Sequence, residues 1–402
     1  EQKDLFQIPQ REAYKTTPPV LILLDRRDDP MTPLLTQWTY QAMIHELFTI
    51  QNNRTVVGKK TDADLKNAKN NEKSDNKEVV VNAELDSFFE KHWASNWGDL
   101  CEAVKHVVDE FKDKNQVKDS INTINDIQQF MRDYPAFKRF AGEVDKHVSL
   151  VTECRKHISE RKLFDLSELE QDITCSENHS DIVRRLKDLI REPKIKPEDA
   201  FRLVLLYAFR FENTKGELPV LQRMLQEKGV KNTALINTGI KLAGKNVRTD
   251  DAYLNPKQAT STSLLSGLTK LTKTVVSGFT EDAAVQNVFT QHKPRLHNVL
   301  DLLFQGRLSQ EAYPFTSLTS QAIPRDVIVF IVGGATYEEA LTVYKFNNHE
   351  ENTTKNISPT NASTQPKKDR SVVLGGTTIL NSKLFLADLV KYDDEDDMGN
   401  LM

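Results

Sequence analysis

Three aspartates just past a run of aliphatics are the first residues in this sequence with the makings of chemistry. Leu21-Ile22-Leu23-Leu24 runs into Asp25-Arg26-Arg27-Asp28-Asp29 and then Pro30-Met31-Thr32-Pro33. Carboxylates at the C-terminal edge of a strand can hold Mg²⁺ for phosphoryl transfer. Asp25 and Asp29 would then be the working pair of an α/β phosphotransferase or hydrolase with a helical cap. Against this, Arg26 and Arg27 supply counter-charge from inside the cluster, and no Lys or Ser/Thr partner motif follows. Charge clusters are more often structural than catalytic. The preferred reading is an ion-paired turn in which Asp25 and Arg26 fix the start of a helix over 36–48.

Other motifs yield to plainer readings in the same way. Gly333-Gly334 between an apolar run and a helical pattern could seat a phosphate at a helix N-terminus. Neither GxGxxG nor GK[ST] is present, so a tight turn that lets the helix pack closely suffices, and the same holds for Gly375-Gly376. His292 and His297 are five apart, which puts them on different faces of a helix. Cys154 with His147 or His157 suggests a nucleophile and base, but Cys154 continues an apolar stripe and no third orienting group is visible. No catalytic constellation emerges, and neither a cofactor nor a metal site is predicted. The sequence reads as a binder.

The elements that would position these residues fall at the two ends of the chain. Aliphatics without alternation at 21–24 predict a strand buried on both faces, and Pro30 and Pro33 stop it. Val327-Ile328-Val329-Phe330-Ile331-Val332 and Val372-Val373-Leu374 repeat the pattern, followed by helices over 337–346 and 382–390. Between them the period is helical. Trp97, Leu100, Val104, Val107, Val108 and Phe111 mark one amphipathic helix. Ile124, Ile127, Met131 and Tyr134 mark another, which Pro135 is expected to interrupt. Phe137, Val144, Val151 and Ile158, spaced by seven and flanked by Phe140 and Cys154, mark a long helix over 136–162, about 40 Å at 1.5 Å per residue. A projecting hairpin about 120–162 is predicted. Shorter helices follow over 182–191, 197–211 and 218–228, the middle one apolar nearly all round. The predicted fold class is α/β plus α: a parallel sheet with flanking helices built from both chain ends, with a large, mainly helical domain inserted.

Composition bounds the partners. The chain has 402 residues, 54 basic and 58 acidic, for a net charge of −4, which gives no pull toward nucleic acid or anionic membrane. Mean hydropathy is −0.52, and no apolar stretch reaches the roughly 20 residues needed to span a bilayer. Three cysteines without metal-ligand spacing favour reduced thiols in a cytosolic protein. Residues 58–78 are too polar to bury a core and 248–280 are Ser/Thr-rich, so both are expected to be loosely ordered. Val56-Val57 and Val79-Val80-Val81 are expected to pair across the first of these. Leu264, Leu265, Leu268, Leu271, Val275 and Phe279, with Lys270 and Lys273, have the spacing of a membrane-surface helix. A regulatory loop is the preferred reading there.

One family carries all these features in order. LILLDRRDDPMTPLLTQWTYQAMIHELF at 21–48 is followed by NWGDL at 96–100, DYPAF at 133–137, VFTQHKP at 288–294, VIVFIVGGATYEE at 327–339 and VVLGGTTIL at 372–380. Together they resemble the SM (Sec-1/Munc-18) family, nearest its Golgi-to-endosome branch. The resemblance implies a non-enzymatic scaffold that binds a syntaxin-type (Qa) SNARE and a vesicle-type (R) SNARE and promotes their assembly. It implies a central α/β domain at 1–50 and 321–392, an inserted helical domain at 51–320, and an acidic tail at 393–402. It also implies SNARE contacts on the hairpin, at Met131, Tyr134, Pro135, Phe137, Phe140 and Val144. The expected state is a cytoplasmic monomer, peripheral to Golgi and endosomal membranes through its SNAREs. The opening Glu-Gln-Lys and the position of the first motif suggest a fragment lacking the family's first domain.

Overall fold

The computed structural model describes residues 19–57, 77–116, 124–176, 178–211, 214, 216–243, 288–316, 323–348 and 370–399. In chain order the strands are β1 (Val20–Asp25), β2 (Arg54–Val57), β3 (Lys77–Val80), β4 (Asp326–Val332), β5 (Ala335–Thr336), β6 (Ser371–Gly376) and β7 (Ile379–Leu380). The helices begin with α1 (Tyr40–Phe48), α2 (Ser87–His92), α3 (Trp97–Gln116), α4 (Ile124–Glu160), α5 (Leu163–Cys175) and α6 (His179–Arg191). They continue with α7 (Pro197–Phe211), α8 (Glu217–Glu227), α9 (Leu235–Leu242), α10 (Arg295–Phe304), α11 (Tyr337–Asn348) and α12 (Ser382–Gly399). Two compact units result. One takes residues 1–29 and 293–379, the other 30–292 and 380–402.

The first unit is built on a parallel sheet of order β1-β4-β6. Strands from the opposite ends of the chain therefore pair directly, with Ile22 beside Val329 and Val327 beside Val372. Each step across the sheet runs the same way. Right-handed crossovers in one direction deliver their helices to one face, and α10 and α11 both pack there. Leu296, Val299, Leu300 and Phe304 of α10 and Val343 and Phe346 of α11 close over Ile22, Val327, Val329, Ile331 and Val372.

The unbroken aliphatic runs predict burial on both faces, and here the structure differs. Leu21 and Leu23 of β1 are 59% and 63% exposed, and Ile328, Val332 and Val373 are exposed beside them. A sheet needs a reversal of strand order before right-handed crossovers can cover its second face. Among the described residues β1, β4 and β6 make none.

In the second unit α7 is the centre, as its sequence predicts. Eleven of its 15 residues, Asp199 to Phe209, are buried, with α5, α6, α8 and α9 packed around it. β2 and β3 form the expected antiparallel arm, Thr55 beside Val79 and Val57 beside Lys77. Most of the insert that they bracket lies outside the described residues, as does the stretch from Leu264 to Phe279.

The helix expected over 36–48 starts at Tyr40 instead. Thr39 stays extended because the Tyr40 and Gln41 amides donate to the carbonyls of Ser95 and Trp93, at 3.1 and 3.0 Å. Upstream, α5 holds the chain. Its Glu170 carboxylate accepts from the Thr36 amide at 2.7 Å and the Thr36 hydroxyl at 3.1 Å, and meets the Arg202 guanidinium at 2.6 Å. Arg202 also donates to the Leu34 carbonyl at 2.6 Å. Ser167 accepts from the Trp38 indole at 2.7 Å, and Gln171 accepts from the amides of Gln291 and His292 at 2.9 and 2.8 Å. α12 departs from its predicted end near 390. It continues through the acidic run to Gly399, with the Thr238 hydroxyl donating to Asp393.

Two outcomes follow from this packing. Glu170→Ala leaves the buried Arg202 guanidinium with Asp199, at 3.7 Å, as its remaining carboxylate; breaking a buried pair from one side costs about 3–5 kcal/mol, and urea unfolding should show a loss toward the lower end of that range. Leu23→Lys with Val373→Lys should lower binding of a hydrophobic dye to the exposed sheet face while leaving stability within about 0.5 kcal/mol, as surface substitutions do.

Candidate functional site

The charged turn after β1 is held by its own residues. Asp25 caps a single 3₁₀ turn, accepting from the Arg27 amide at 2.9 Å and pairing with the Arg27 guanidinium at 2.5 Å. Burial alone would raise the Asp25 carboxyl, but the bonds and charge of Arg27 hold it below its ordinary range. Arg26 is buried and reaches across the sheet ends. It donates to both Glu339 oxygens at 2.7 Å, to the Gly334 carbonyl at 3.0 Å and to the Asp29 carbonyl at 2.9 Å. Burial pushes the Glu339 carboxyl up, against the pull of Arg26. Asp29 in turn accepts from the Arg295 amide at the start of α10, at 3.0 Å.

Arg26 therefore fixes the β4–α11 turn and not the start of the 36–48 helix, which corrects the sequence expectation. The partner was invisible in sequence because Glu339 lies 313 positions away. Gly333 is needed for the same contact. Its φ is +94°, and a Cβ there would sit 2.7 Å from the Arg26 Cβ. Gly376, by contrast, lies in β6 rather than in a turn, and a Cβ there would meet the Ala335 amide nitrogen at 2.8 Å.

This arrangement leaves Asp25 and Asp29 engaged as counter-charge and helix cap. The cavity beside them, lined by Leu24, Asp28, Tyr313 and Ile331 among others, has a volume of about 20 Å³. That is room for a single water, far short of the 300 Å³ or more typical of a ligand pocket. A nucleotide does not fit, so the phosphotransferase reading fails on size and on pairing.

The other candidate is the long helical pair. α3 and α4 pack on one another, and α4 also packs on α1 and α5. α4 runs for 37 residues without a break, roughly 55 Å at 1.5 Å per residue. The expected interruption at Pro135 is absent. A proline removes one backbone donor and costs about 3 kcal/mol in a helix interior, and helical turns on both sides carry α4 through it. Met131, Tyr134, Pro135, Phe137 and Phe140 lie on the stretch of α4 whose side chains fall outside the described residues. Val144 is 8% exposed, so it belongs to the packed end of the helix.

That packed end holds a polar group which the sequence reading considered only as a partner for Cys154. His147, on the same stripe as Cys154, is 3% exposed. Its Nδ1 lies 2.8 Å from the Tyr40 hydroxyl, and its Nε2 lies 3.0 and 3.1 Å from the two Asp86 oxygens. The third group missing from the Cys154–His147 idea thus exists, but it orients His147 toward Tyr40. Cys154 is fully buried, and burial pushes its thiol far up, away from nucleophilic character. The signal for Asp86 was its place as a helix cap, accepting from the Phe89 amide at 2.9 Å. Asn96 caps α3 in the same way, accepting from the Asp99 amide at 2.9 Å, which explains the polar positions of the NWGDL motif. His292 bonds the Thr32 hydroxyl at 3.2 Å, and His297 contacts the Lys293 amine.

Among the described residues, no helix is long and apolar enough to cross a membrane.

Comparison with known proteins agrees with this architecture. A model of the Sec1 family matches residues 2–388. Vacuolar protein sorting-associated protein 45 of Homo sapiens is 38% identical over 392 residues, covering 96% of this chain and 61% of the human protein. Its counterpart in Dictyostelium discoideum is 39% identical over 390 residues, covering 96% of this chain and 62% of its own length. Among solved structures, the SM protein Vps45 in complex with the Qa SNARE Tlg2 (1-310) superimposes with a TM-score of 0.75 at 33% identity, over 98% of this chain and 62% of that one. The chain thus spans about three-fifths of the length of the relatives that it matches. On the family match and these identities, the chain belongs to the Sec1 family.

Proposed function

We propose that this chain is the SNARE-binding portion of a non-enzymatic scaffold that promotes SNARE-complex assembly in Golgi and endosomal traffic. The observation that carries the reading is the likeness, over nearly the whole chain, to an SM protein whose structure was solved with a Qa SNARE. The partners are a syntaxin-type (Qa) SNARE and a vesicle-type (R) SNARE. The protein acts as a monomer on the cytoplasmic side of the membrane, held there through its SNAREs.

The docking surface lies in the inserted helical stretch, 51–320, on the α3–α4 pair. The contact stripe is Met131, Tyr134, Pro135, Phe137 and Phe140, with Val144 at its buried end. Residues at this spacing accept another amphipathic helix by knobs-into-holes contact. SNARE segments are disordered alone, and zipping them into a four-helix bundle costs the ordering of each chain. A rigid helix that aligns two of them meets part of that ordering cost before the bundle closes. No bond is made or broken in this reaction.

Isothermal titration of the full chain with a Qa SNARE lacking its N-terminal peptide, and separately with an R SNARE segment, tests the reading. Saturable binding that Phe137→Asp with Phe140→Asp abolishes is expected, with the helical circular dichroism unchanged. A folded chain that binds neither segment overturns it. Pro135→Ala restores a backbone donor in α4 and removes a helix penalty of about 3 kcal/mol. Because α4 already runs unbroken through Pro135, free and bound states gain alike: urea unfolding should show a more stable chain, with affinity for the R SNARE segment unchanged.

A further inference from the structure

The buried side of α4 at its packed end reads Val144, His147, Leu150, Cys154 and Ile158, every one under 10% exposed. One of these is polar, and it joins three helices. Tyr40, the first residue of α1, is fully buried; Asp86 caps α2 and is 3% exposed. The His147 ring lies between them, with the Phe88 ring 4.4 Å from its own. Lys146 closes the cluster by pairing its amine with Asp86.

Both ring nitrogens of His147 have partners. Burial would raise the Asp86 carboxyl, but the bonds from His147, Lys146 and the Phe89 amide outweigh it and hold the group ionised. An ionised carboxylate only accepts, so the facing Nε2 carries the proton. Nδ1 meets the Tyr40 hydroxyl, which can donate or accept. Every buried polar atom of the ring is satisfied in this arrangement.

Such a cluster selects where an apolar one would not. The apolar stripe keeps α4 from turning by a whole residue, about 100°, but it leaves rotations of a few tens of degrees and slides of about 1.5 Å open. Either small change parts the hydrogen bonds of the imidazole to Tyr40 and Asp86. Contacts made by Val144, Leu150 and Ile158 are non-directional and tolerate such small shifts far better. Phe140 precedes His147 by seven positions and Phe137 precedes Val144 by seven. At 3.6 residues per turn these pairs share a helix azimuth to within about 20°. The rotational setting fixed at the packed end therefore carries along α4 to the positions of the docking stripe.

We propose that His147 is a positioning residue for docking. Through Tyr40 and Asp86 it locks α4 in the one rotational setting that presents residues 131–140 to an amphipathic partner helix. This rests on the docking reading given above for that stripe.

The test uses the full chain with Tyr40→Phe and His147→Leu combined, which removes the hydroxyl and the ring together and leaves Asp86 paired with Lys146. Stability by urea unfolding, affinity for the Qa SNARE segment, and the spin-label distance between Glu102 on α3 and Asp145 on α4 are measured together. The expected result is an unfolding midpoint close to that of the parent, a broadened distance distribution and weaker binding. If the correct setting falls to about a tenth of the population, the apparent Kd rises about tenfold. A role in stability alone would instead move affinity only together with the unfolding midpoint. A distance distribution as narrow as the parent's, at unchanged midpoint, overturns the proposal, whatever the affinity. If the distribution broadens but the parent itself binds no SNARE segment, positioning of α4 stands and the docking reading falls.

Discussion

The helical unit depends on the polar side chains of α5, which hold backbone from far-separated parts of the sequence. Ser167, Glu170 and Gln171 stand within two turns of one buried helix and take bonds from residues 36–38 and from 291–292. Thr32 and His292, 260 positions apart, meet at 3.2 Å beside them. These segments adjoin the points at which the chain first enters and then leaves the unit. A third passage is held by α1, whose His45 carbonyl accepts from Asn381 at 2.7 Å and whose Glu46 accepts from the Ser382 amide at 3.0 Å. A unit whose chain enters and leaves at points so far apart in sequence needs those passages held within it, and apolar burial alone is non-directional. Directional bonds at the buried passages hold them.

The strand-end turn shows the same device in the smaller unit. β1 ends on one charged residue and four more follow it, and the geometry uses their charge for attachment. Arg26 satisfies a carboxylate, a turn carbonyl and its own loop at once, so the turn after β4 is tied to the turn after β1. Sequence alone could pair Asp25 with Arg27, since they are neighbours, but it could not supply Glu339. The cluster looks catalytic by type and spacing because catalysis and turn-locking draw on the same residues. What separates them is whether a carboxylate still faces space that a substrate can enter, and here the space has room for one water.

How much could be read from the sequence varied with the range of the interaction that decides each feature. Strands at both ends, the apolar α7 and the β2–β3 arm follow from local composition and period, and all are present. Coverage of the sheet is decided by strand order, which no single strand encodes, so Leu21 and Leu23 looked buried and are not. The start of α1 is decided by carbonyls of Trp93 and Ser95, again out of local sight. Pro135 was the opposite case: a strong local signal, overruled because one missing hydrogen bond is small beside the rest of a 37-residue helix. His147 was noticed only as a partner for Cys154. Its true partners, Tyr40 and Asp86, lie 107 and 61 positions away.

A long helix is an economical docking element only if its setting is fixed before the partner arrives. Ordering a disordered partner already costs free energy, and each further degree of freedom left in the receptor adds to that cost. Apolar packing would hold α4 in place but leave neighbouring rotational settings close in energy. A buried imidazole with a hydroxyl on one side and a carboxylate on the other penalises the alternatives by about 1–3 kcal/mol for each bond left unmet. That gap is small beside the stability of the unit, yet it is of the size that decides whether one setting or several are populated. The polar residue on the otherwise apolar buried face of α4 is thus a choice of geometry over raw stability at the packed end of the helix.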